Sequence, residues 1–410
     1  MAQKKNIVII GGGAAGFFCA VNVARLDPGA HVILLEKSNK LLAKVRVSGG
    51  GRCNVTHHCF ENSELVQNYP RGQKELLGAF NRFSVKETID WFESRGVKLK
   101  TEEDGRMFPV TNSSETIIYC LIEEARKYNV AIYTNSAVTK IDVIPGKPFQ
   151  LTLANNETLS CDKLLVASGG HPKESSYEWL QQLGHTIESP IPSLFTFNIH
   201  NKRLTELMGV SVPQAKIKII GSKFEYQGPL LITHWGMSGP AVLKLSSWGA
   251  KLLNELNYDF TIHVNWLPKL NEEKLRIEFD SVRKENSAKL VFNTRPFDLP
   301  KRLWDYQLYK AEVTNELRWA DMPKKKLNIL INSLINDEYK VSGKTTFKEE
   351  FVTCGGINLK EIDFKTMQSL KIPNLYFAGE VLNIDGITGG FNFQSAWTTG
   401  WLAAKDMSGG

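Results

Sequence analysis

The stretch from Asn6 to Glu36, NIVIIGGGAAGFFCAVNVARLDPGAHVILLE, restricts this chain more than any other. Asn6 to Ile10 is a short β-branched apolar run, as expected for a strand buried on both faces of a parallel sheet. Gly11, Gly13 and Gly16 then supply G-x-G-x-x-G. In that pattern the first glycine permits a tight turn, the second lets backbone approach a pyrophosphate, and the third lets helix and strand pack closely. A helix starting near Ala14 and Ala15 points its unpaired N–H groups and positive dipole end at those phosphates. Val32 to Leu35 reads as a second strand, and Glu36 at its end is placed to accept a hydrogen bond from an adenosine ribose hydroxyl. Glycine turns alone are common, so a purely structural β-α-β unit is the alternative. The full order of strand, turn, helix, strand and acid favours a nucleotide. An acid at 36 with no arginine beside it suits an unphosphorylated 2′-OH, hence FAD or NAD rather than NADP.

At 410 residues the chain is too long for one ordinary core, so two or three structural units are expected. Its 42% hydrophobic and 23% charged residues are those of a soluble globular protein. Lys4 and Lys5 before an apolar run mimic a signal peptide, but the triple glycine and Glu36 fit a strand and helix better. No run of about 18 apolar residues occurs, so no membrane span is expected. Six scattered cysteines without a C-x-x-C spacing argue against a zinc or dithiol centre and suit a reducing cytoplasm. His57, His58 and Cys59 are adjacent rather than spaced as metal ligands, so a loop is favoured and no metal is expected. The net charge of +7 is compatible with anionic ligands or weak nucleic-acid contact. The basic residues are dispersed along the chain rather than gathered in a stripe, so no nucleic-acid partner is expected.

A basic loop is expected over Lys37 to Val47, ending in Ser48-Gly49-Gly50-Gly51-Arg52-Cys53-Asn54. Three glycines beside serine, arginine and asparagine suggest a second place where backbone meets ligand, with a flexible turn as the alternative. Arg52 there suits an anion or carbonyl. Phe80 to Arg95 reads as one amphipathic helix. Short strands are expected at Val97 to Leu99 and Gly105 to Pro109, and Ser113-Ser114-Glu115 begins a helix running to about Tyr128. Further strands are expected at Val130 to Thr134 and Ala137 to Val143, then a hairpin around Asn155-Asn156. Lys163 to Gly170 is a buried strand that runs straight into small residues.

From about Ser189 the pattern becomes antiparallel, with alternating segments such as Ala215 to Ile220 and Thr261 to Val264. Leu270 to Ile335 is charged and helical, broken by Pro296, Pro300 and Pro323, and Lys324-Lys325-Lys326 reads as a solvated helix face. Asn374 to Glu380 is again a hydrophobic strand ending in small residues and an acid. Gly386 to Gly390 precedes a helix over about 391 to 405. The spacing predicts that the C-terminus closes back on the first domain. The expected fold is α/β: a Rossmann-like domain from both chain ends, 1–190 and 346–410. Between them lies an inserted β-rich domain, 191–345, with a helical subdomain at about 268–335.

Together these pieces resemble a two-part FAD-binding domain of the glutathione-reductase type. Four stretches are similar to the aminoacetone oxidase-like family of FAD-binding flavoproteins, which includes bile-acid-pathway reductases. They are SGGGRCN (48–54), GRMFP (105–109), THWGMSGP (233–240) and FAGEVLNIDGITGGFNFQ (377–394). The resemblance implies FAD contacts at Gly11, Gly13, Ala14, Ala15, Gly16, Glu36, Lys37, Arg52, Cys53, Asn54, Val138, Gly169, Gly379, Glu380, Gly390, Phe391 and Asn392. Asn383 departs from the family, which more often carries an acid there.

The resemblance implies an FAD-dependent oxidoreductase acting on a small organic substrate, an amine or carbonyl or an unsaturated keto compound. The chain carries one G-x-G-x-x-G and no second nucleotide unit. The organic substrate would therefore reduce the flavin with O2 as acceptor, or NAD(P)H would dock transiently. A substrate pocket is expected between the inserted domain and the flavin, since ligand sites favour domain interfaces, with Phe195, Phe197, Thr233 and His234 as lining candidates. His234 is the candidate acid–base group, with a turn-satisfying histidine as the alternative. A flavin-bearing, RNA-associated binding protein without small-molecule turnover is the alternative function.

Overall fold

The computed structural model describes residues 5–345 and 352–409. The chain forms two compact units, Met1–Ser193 with Lys348–Gly410, and Leu194–Phe347. The expected return to the first domain at 346 falls outside the described residues.

The first unit is organised on a seven-stranded sheet. Strands β1 (Asn6–Ile10), β2 (His31–Leu35), β3 (Ala131–Tyr133), β4 (Lys163–Val166) and β5 (Leu375–Phe377) run parallel in the order β5-β4-β1-β2-β3. Antiparallel strands Ile362–Asp363 and Gln368–Ser369 complete the edge beside β5. Ile7, Val8, Ile9, Leu34, Leu164, Leu165 and Phe377 are fully buried, as uninterrupted apolar strands covered on both faces must be. Helix α1 (Ala14–Leu26) follows β1, and the C-terminal helix α2 (Phe391–Met407) crosses it. A Cβ on Gly400 would stand 2.7 Å from the Ala15 carbonyl oxygen, so glycine at 400 permits the close approach.

The C-terminal helix is locked into the N-terminal half by a buried polar network. The fully buried Gln394 amide accepts from Thr56 Oγ1 at 2.6 Å and donates to Thr88 and Thr398 at 3.0 and 3.1 Å. Trp397 Nε1 donates to the Val55 carbonyl and Tyr69 OH to that of Phe391. Each group would be expensive to bury unpaired, so the network specifies how the two chain ends meet.

Two local expectations differ from the structure. Phe80 to Arg95 is two helices, Gln73–Phe80 and Val85–Glu93. Ser84 and Glu87 form a reciprocal capping box that starts the second one. The expected basic loop turns helical at Ala43, and the glycine stretch then leaves helical geometry at Ser48, with Gly49 and Gly50 left-handed.

A strand pair, Ile187–Pro192 with Thr353–Ile357, also belongs to this unit. Beside it the Glu361 carboxylate accepts from Lys371 Nζ at 2.7 Å, from the Thr186 amide at 3.1 Å and from the buried His185 ring at 2.8 Å. Burial pushes the Glu361 pKa up, but the hydrogen bonds from Lys371, Thr186 and His185 outweigh it and hold the group at about 2. A folded-state pKa below the unfolded value contributes stability above about pH 4.3 that is lost as pH falls towards 2. Glu361→Gln is therefore expected to lower stability at pH 7 by on the order of 2–3 kcal/mol and to flatten the acid limb of unfolding between those values. Urea titrations at a series of pH values check this; parallel acid limbs in variant and parent would contradict it.

The second unit carries a seven-stranded sheet with strands in the order Asp337–Ser342, Asp259–Asn265, Ser211–Ile219, Glu225–Thr233, Gly236–Ser238, Thr196–Asn198 and Lys344–Thr345. All its described pairings are antiparallel. Helices Glu272–Glu285, Lys301–Lys310 and Lys324–Ile335 follow the charged segment. Pro300 and Pro323 sit at the N-caps of the last two, where a proline costs no helical hydrogen bond. Sheet and helices share one hydrophobic core that contains Trp266, Trp304 and Trp319.

Candidate FAD site at the strand ends

The carboxyl ends of β1, β2, β4 and β5 bring Gly11, Glu36, Gly169 and Gly379 to one rim of the parallel sheet, the place where open α/β sheets bind ligands. The three motif glycines divide into two roles. A Cβ on Gly11 (φ +113°) would lie 2.2 Å from the Ala167 oxygen, and one on Gly16 would lie 2.0 Å from the Gly11 oxygen. These two are closed by the protein's own backbone. A Cβ on Gly13 would meet nothing within 4 Å. Open space therefore lies off the glycine at the N-cap of α1, whose first turn carries no acid to neutralise its positive end. Gly169 is likewise open, at φ +77°.

Glu36 Oε2 accepts the Gly12 amide at 2.9 Å, and Oε1 accepts the amide and hydroxyl of Ser38 at 2.9 and 2.8 Å. A carboxylate offers about four lone-pair sites, so capacity remains for ribose hydroxyls. The Ser136 amide donates to the Glu36 carbonyl oxygen, which draws the start of strand Val138–Asp142 beside this acid.

A polar cluster gathers on the same rim. Lys44 pairs with Glu380, and the half-buried His171 lies within the influence of Lys37, Lys44 and Glu380. Burial first, then the two lysines, push His171 down to about 4, which leaves it neutral at pH 7. Its amide donates to the Tyr177 hydroxyl at 2.9 Å. Lys44 and His171 were not among the residues expected from sequence. Lys44 lies within a run of basic residues that offers no periodicity to single it out, and His171 gains meaning only from β4 ending at the rim.

Other expected residues are placed differently by side chain and by backbone. Cys53 is fully buried, and burial pushes its thiol to about 12. The Asn54 amide, oriented to suit its neighbours, accepts from the Gly390 N–H at 2.9 Å and donates to the Thr56 oxygen at 3.0 Å. The Phe391 ring is buried, stacked on His57 at 4.6 Å. In all three the side chain is buried and packed within the protein. Arg52 stacks on Phe108 at 3.9 Å and pairs with Glu102 at 2.6 Å, so its charge is already engaged. The Asn392 side chain holds the glycine loop before α2, accepting from the Gly386 N–H at 2.8 Å and donating to the Gly386 oxygen at 2.9 Å. His57 is held between this stack and the Gly389 carbonyl. Asn383, the departure from the family pattern, accepts the Gly355 amide at 3.0 Å. His234 belongs to the second unit, exposed and edge-on to Trp235 at 4.1 Å, and Phe195 and Phe197 lie in that unit's core.

These features fit a flavin dinucleotide: open backbone at Gly13, an unneutralised helix end, an acid at the end of β2 and flanking lysines. Comparison with known proteins agrees. The chain is 31% identical over 419 residues to the ribosomal RNA dihydrouridine synthase of Escherichia coli (strain K12), spanning 99% of this chain and 98% of that protein. It is 26% identical over 408 residues to the 3-dehydro-bile acid delta(4,6)-reductase of Clostridium scindens, spanning 98% of each. Among solved structures, the 3-ketosteroid-delta4-(5alpha)-dehydrogenase of Rhodococcus jostii RHA1 matches with a TM-score of 0.51 at 12% identity, over 98% of this chain and 97% of that one, a likeness of fold. FAD is the cofactor of this chain. The pattern of the HI0933-like protein Rossmann domain matches residues 5–406, and the chain belongs to that family of FAD-binding proteins.

Proposed function

We propose that this chain is a flavin-dependent reductase of a carbon–carbon double bond conjugated to a carbonyl, and that its substrate is uracil within ribosomal RNA. The observation that carries this reading is the full-length likeness, at 31% identity, to a ribosomal RNA dihydrouridine synthase. The bile-acid relative supports the chemistry, because its name describes reduction of an unsaturated ring system beside an oxidised carbon. Uracil C5=C6 is likewise conjugated to a carbonyl. Charge supports a polyanionic partner. Residues 194–347 hold 23 Lys and Arg against 16 Asp and Glu, whereas the rest of the chain holds 27 of each. The whole excess of +7 thus falls on the second unit, which a count over the full chain conceals.

FAD, when bound and reduced, supplies the hydride to the electron-poor carbon. The chain holds the dinucleotide through the open backbone at Gly13, the end of α1, and Lys37 and Lys44 for its phosphates, with Glu36 for its ribose. The start of α2 adds about half a positive charge where negative charge on the ring system needs stabilising. Asn392→Asp puts an anion there and is expected to lower the flavin reduction potential; an equal potential in dye-equilibrated titrations would refute the assignment. His234 is the candidate donor of the proton at the carbon beside the carbonyl. His234→Asn is expected to slow substrate reduction by roughly 100-fold, a typical general-acid contribution, and to leave flavin content intact. Rapid-mixing traces of flavin reoxidation measure it.

The reading is tested with photoreduced holoprotein mixed anaerobically with unmodified ribosomal RNA transcripts. The expected result is flavin reoxidation with two hydrogens gained per converted uridine by mass spectrometry. Reoxidation by a 3-keto-4-ene steroid but not by RNA would move the substrate to small molecules. Salt-sensitive RNA binding without reoxidation would leave a flavin-bearing binding protein.

A further inference from the structure

The second unit contains a cavity of about 450 Å³ lined by Phe292, Asn293, Arg295, Lys301 and Trp304. Its size falls in the range of roughly 300–1,000 Å³ usual for small-ligand sites. Its walls combine two kinds of chemistry. Phe292 is half-buried, and Trp304 is buried with an indole N–H that has no hydrogen-bond partner among the described residues. Asn293, Arg295 and Lys301 are exposed. Lys301 shares its charge with Asp305 one turn along the helix, at 2.8 Å. Arg295 has neither hydrogen bond nor ion pair among the described residues.

Two of the lining residues, Lys301 and Trp304, belong to the first turn of helix Lys301–Lys310. Leu303 and Trp304 amides return to the Pro300 oxygen, so the amides of Lys301 and Arg302 have no acceptor within the helix. No acid occupies that first turn. An unpaired guanidinium, a lysine and a helix end suit a phosphate, while a half-exposed phenyl ring beside an amide suits a nucleobase. The cavity lies in the unit that carries all of the chain's excess positive charge.

We infer that this cavity grips one nucleotide of single-stranded RNA: Arg295, Lys301 and the helix end hold the phosphate, and the base lies on Phe292 with Asn293 at its edge. The choice of RNA rests on the reading above; the position does not, since the cavity is formed within the second unit and shares no residue with the strand-end rim. It is a substrate-gripping site with no part in the redox step.

The test uses the FAD-loaded full chain and a fluorescein-labelled oligouridylate, with binding read by anisotropy over a salt series. Arg295→Glu is expected to weaken binding at least tenfold near 0.1 M salt and to reduce the salt slope by about one or more. Phe292→Ala should weaken it roughly 5- to 100-fold without altering the slope, as expected for a lost stacking contact. Lys324→Glu makes the same kind of charge reversal on another helix of this unit and should produce a clearly smaller loss. Affinities equal to the parent, or equal losses in Arg295→Glu and Lys324→Glu, would overturn the inference. So would an Arg295→Glu variant that raises KM for NADPH while binding RNA normally. Dihydrouridine formation by the parent separates the two ideas. Its absence with the variant losses intact rejects the proposed reaction alone, and its presence with unchanged variant affinities rejects the gripping site alone.

Discussion

Gly16→Ala is expected to yield a protein destabilised by about 3 kcal/mol that purifies without FAD, whereas Gly13→Ala keeps its stability and loses only affinity for the cofactor. The two positions lie three residues apart in one motif, and their surroundings are opposite. The new methyl at 16 would lie 2.0 Å from the Gly11 oxygen and 3.3 Å from Ile9 Cγ2. No rotamer relieves such contact with main chain, so β1 and α1 must separate, and the buried face of the sheet separates with them. At 13 the methyl enters open space, and φ −93° with ψ −169° is accessible to alanine. Only a ligand pressed against that backbone would register the substitution. Chemical denaturation of the apoproteins and FAD titration by flavin fluorescence measure both halves. A Gly13→Ala variant that binds FAD as tightly as the parent would show that the space is not where the pyrophosphate lies.

Arg71→Met is expected to lower stability by about 3–5 kcal/mol, the typical consequence of leaving one partner of a buried ion pair alone. Asp385 is fully buried and accepts from Arg71 through both carboxylate oxygens and from Ser193 Oγ, while Arg71 also donates to Ser193 at 2.9 Å. Burial already holds the Asp385 pKa above its ordinary value; with the guanidinium removed the Ser193 hydrogen bond still opposes burial, and the pKa rises further. A carboxyl whose folded pKa lies above its unfolded value stabilises the fold at low pH and loses that contribution as pH rises through the folded value. The defect should therefore ease on acidification. Arg71→Met with Asp385→Asn removes both charges and should recover most of the loss, because the desolvated anion rather than the missing bridge dominates. Urea unfolding across the double-mutant cycle, repeated at two pH values, gives the coupling energy. Additive losses, or a defect that deepens in acid, would contradict this account.

Both variants show how far the residue order could be followed. Strand β1, the glycine turn, α1, β2 and Glu36 all lie within thirty-one consecutive residues, and each step obeys a local rule. Hydrophobic runs of strand length, a helix opening at glycine and an acid at the strand end need no distant partner to be recognised. The breaks expected at Pro300 and Pro323 are local in the same way, and each proline stands at the N-cap of a helix. The single helix expected from Phe80 was a local misreading: the apolar period continues through Asn81 to Phe83, while Ser84 and Glu87 satisfy each other's backbone and restart the helix.

The engaged state of Arg52 could not be anticipated, because Glu102 and Phe108 lie about fifty residues further on and only tertiary packing places them against it. Cys53, Asn54 and Phe391 shared this fate. The Asn54 and Phe391 side chains join the two chain ends, and the Cys53 thiol is fully buried. The His171 and Lys44 cluster and the Arg295 cavity are likewise assemblies of residues with no shared spacing.

Periodicity, turn chemistry and residue type thus dictated a Rossmann-like sheet with a glycine turn and an acid at the end of its second strand, because these depend on neighbours within a few positions along the chain; the residues alone left FAD or NAD open, and the family resemblance pointed to FAD. Which polar groups are spent on holding the protein together and which remain for a ligand was settled only in three dimensions. Burial and pairing are properties of a place in the fold: an arginine is a structural clamp at 52 and, among the described residues, an unpaired cation at 295, according to what folding brings within hydrogen-bond reach.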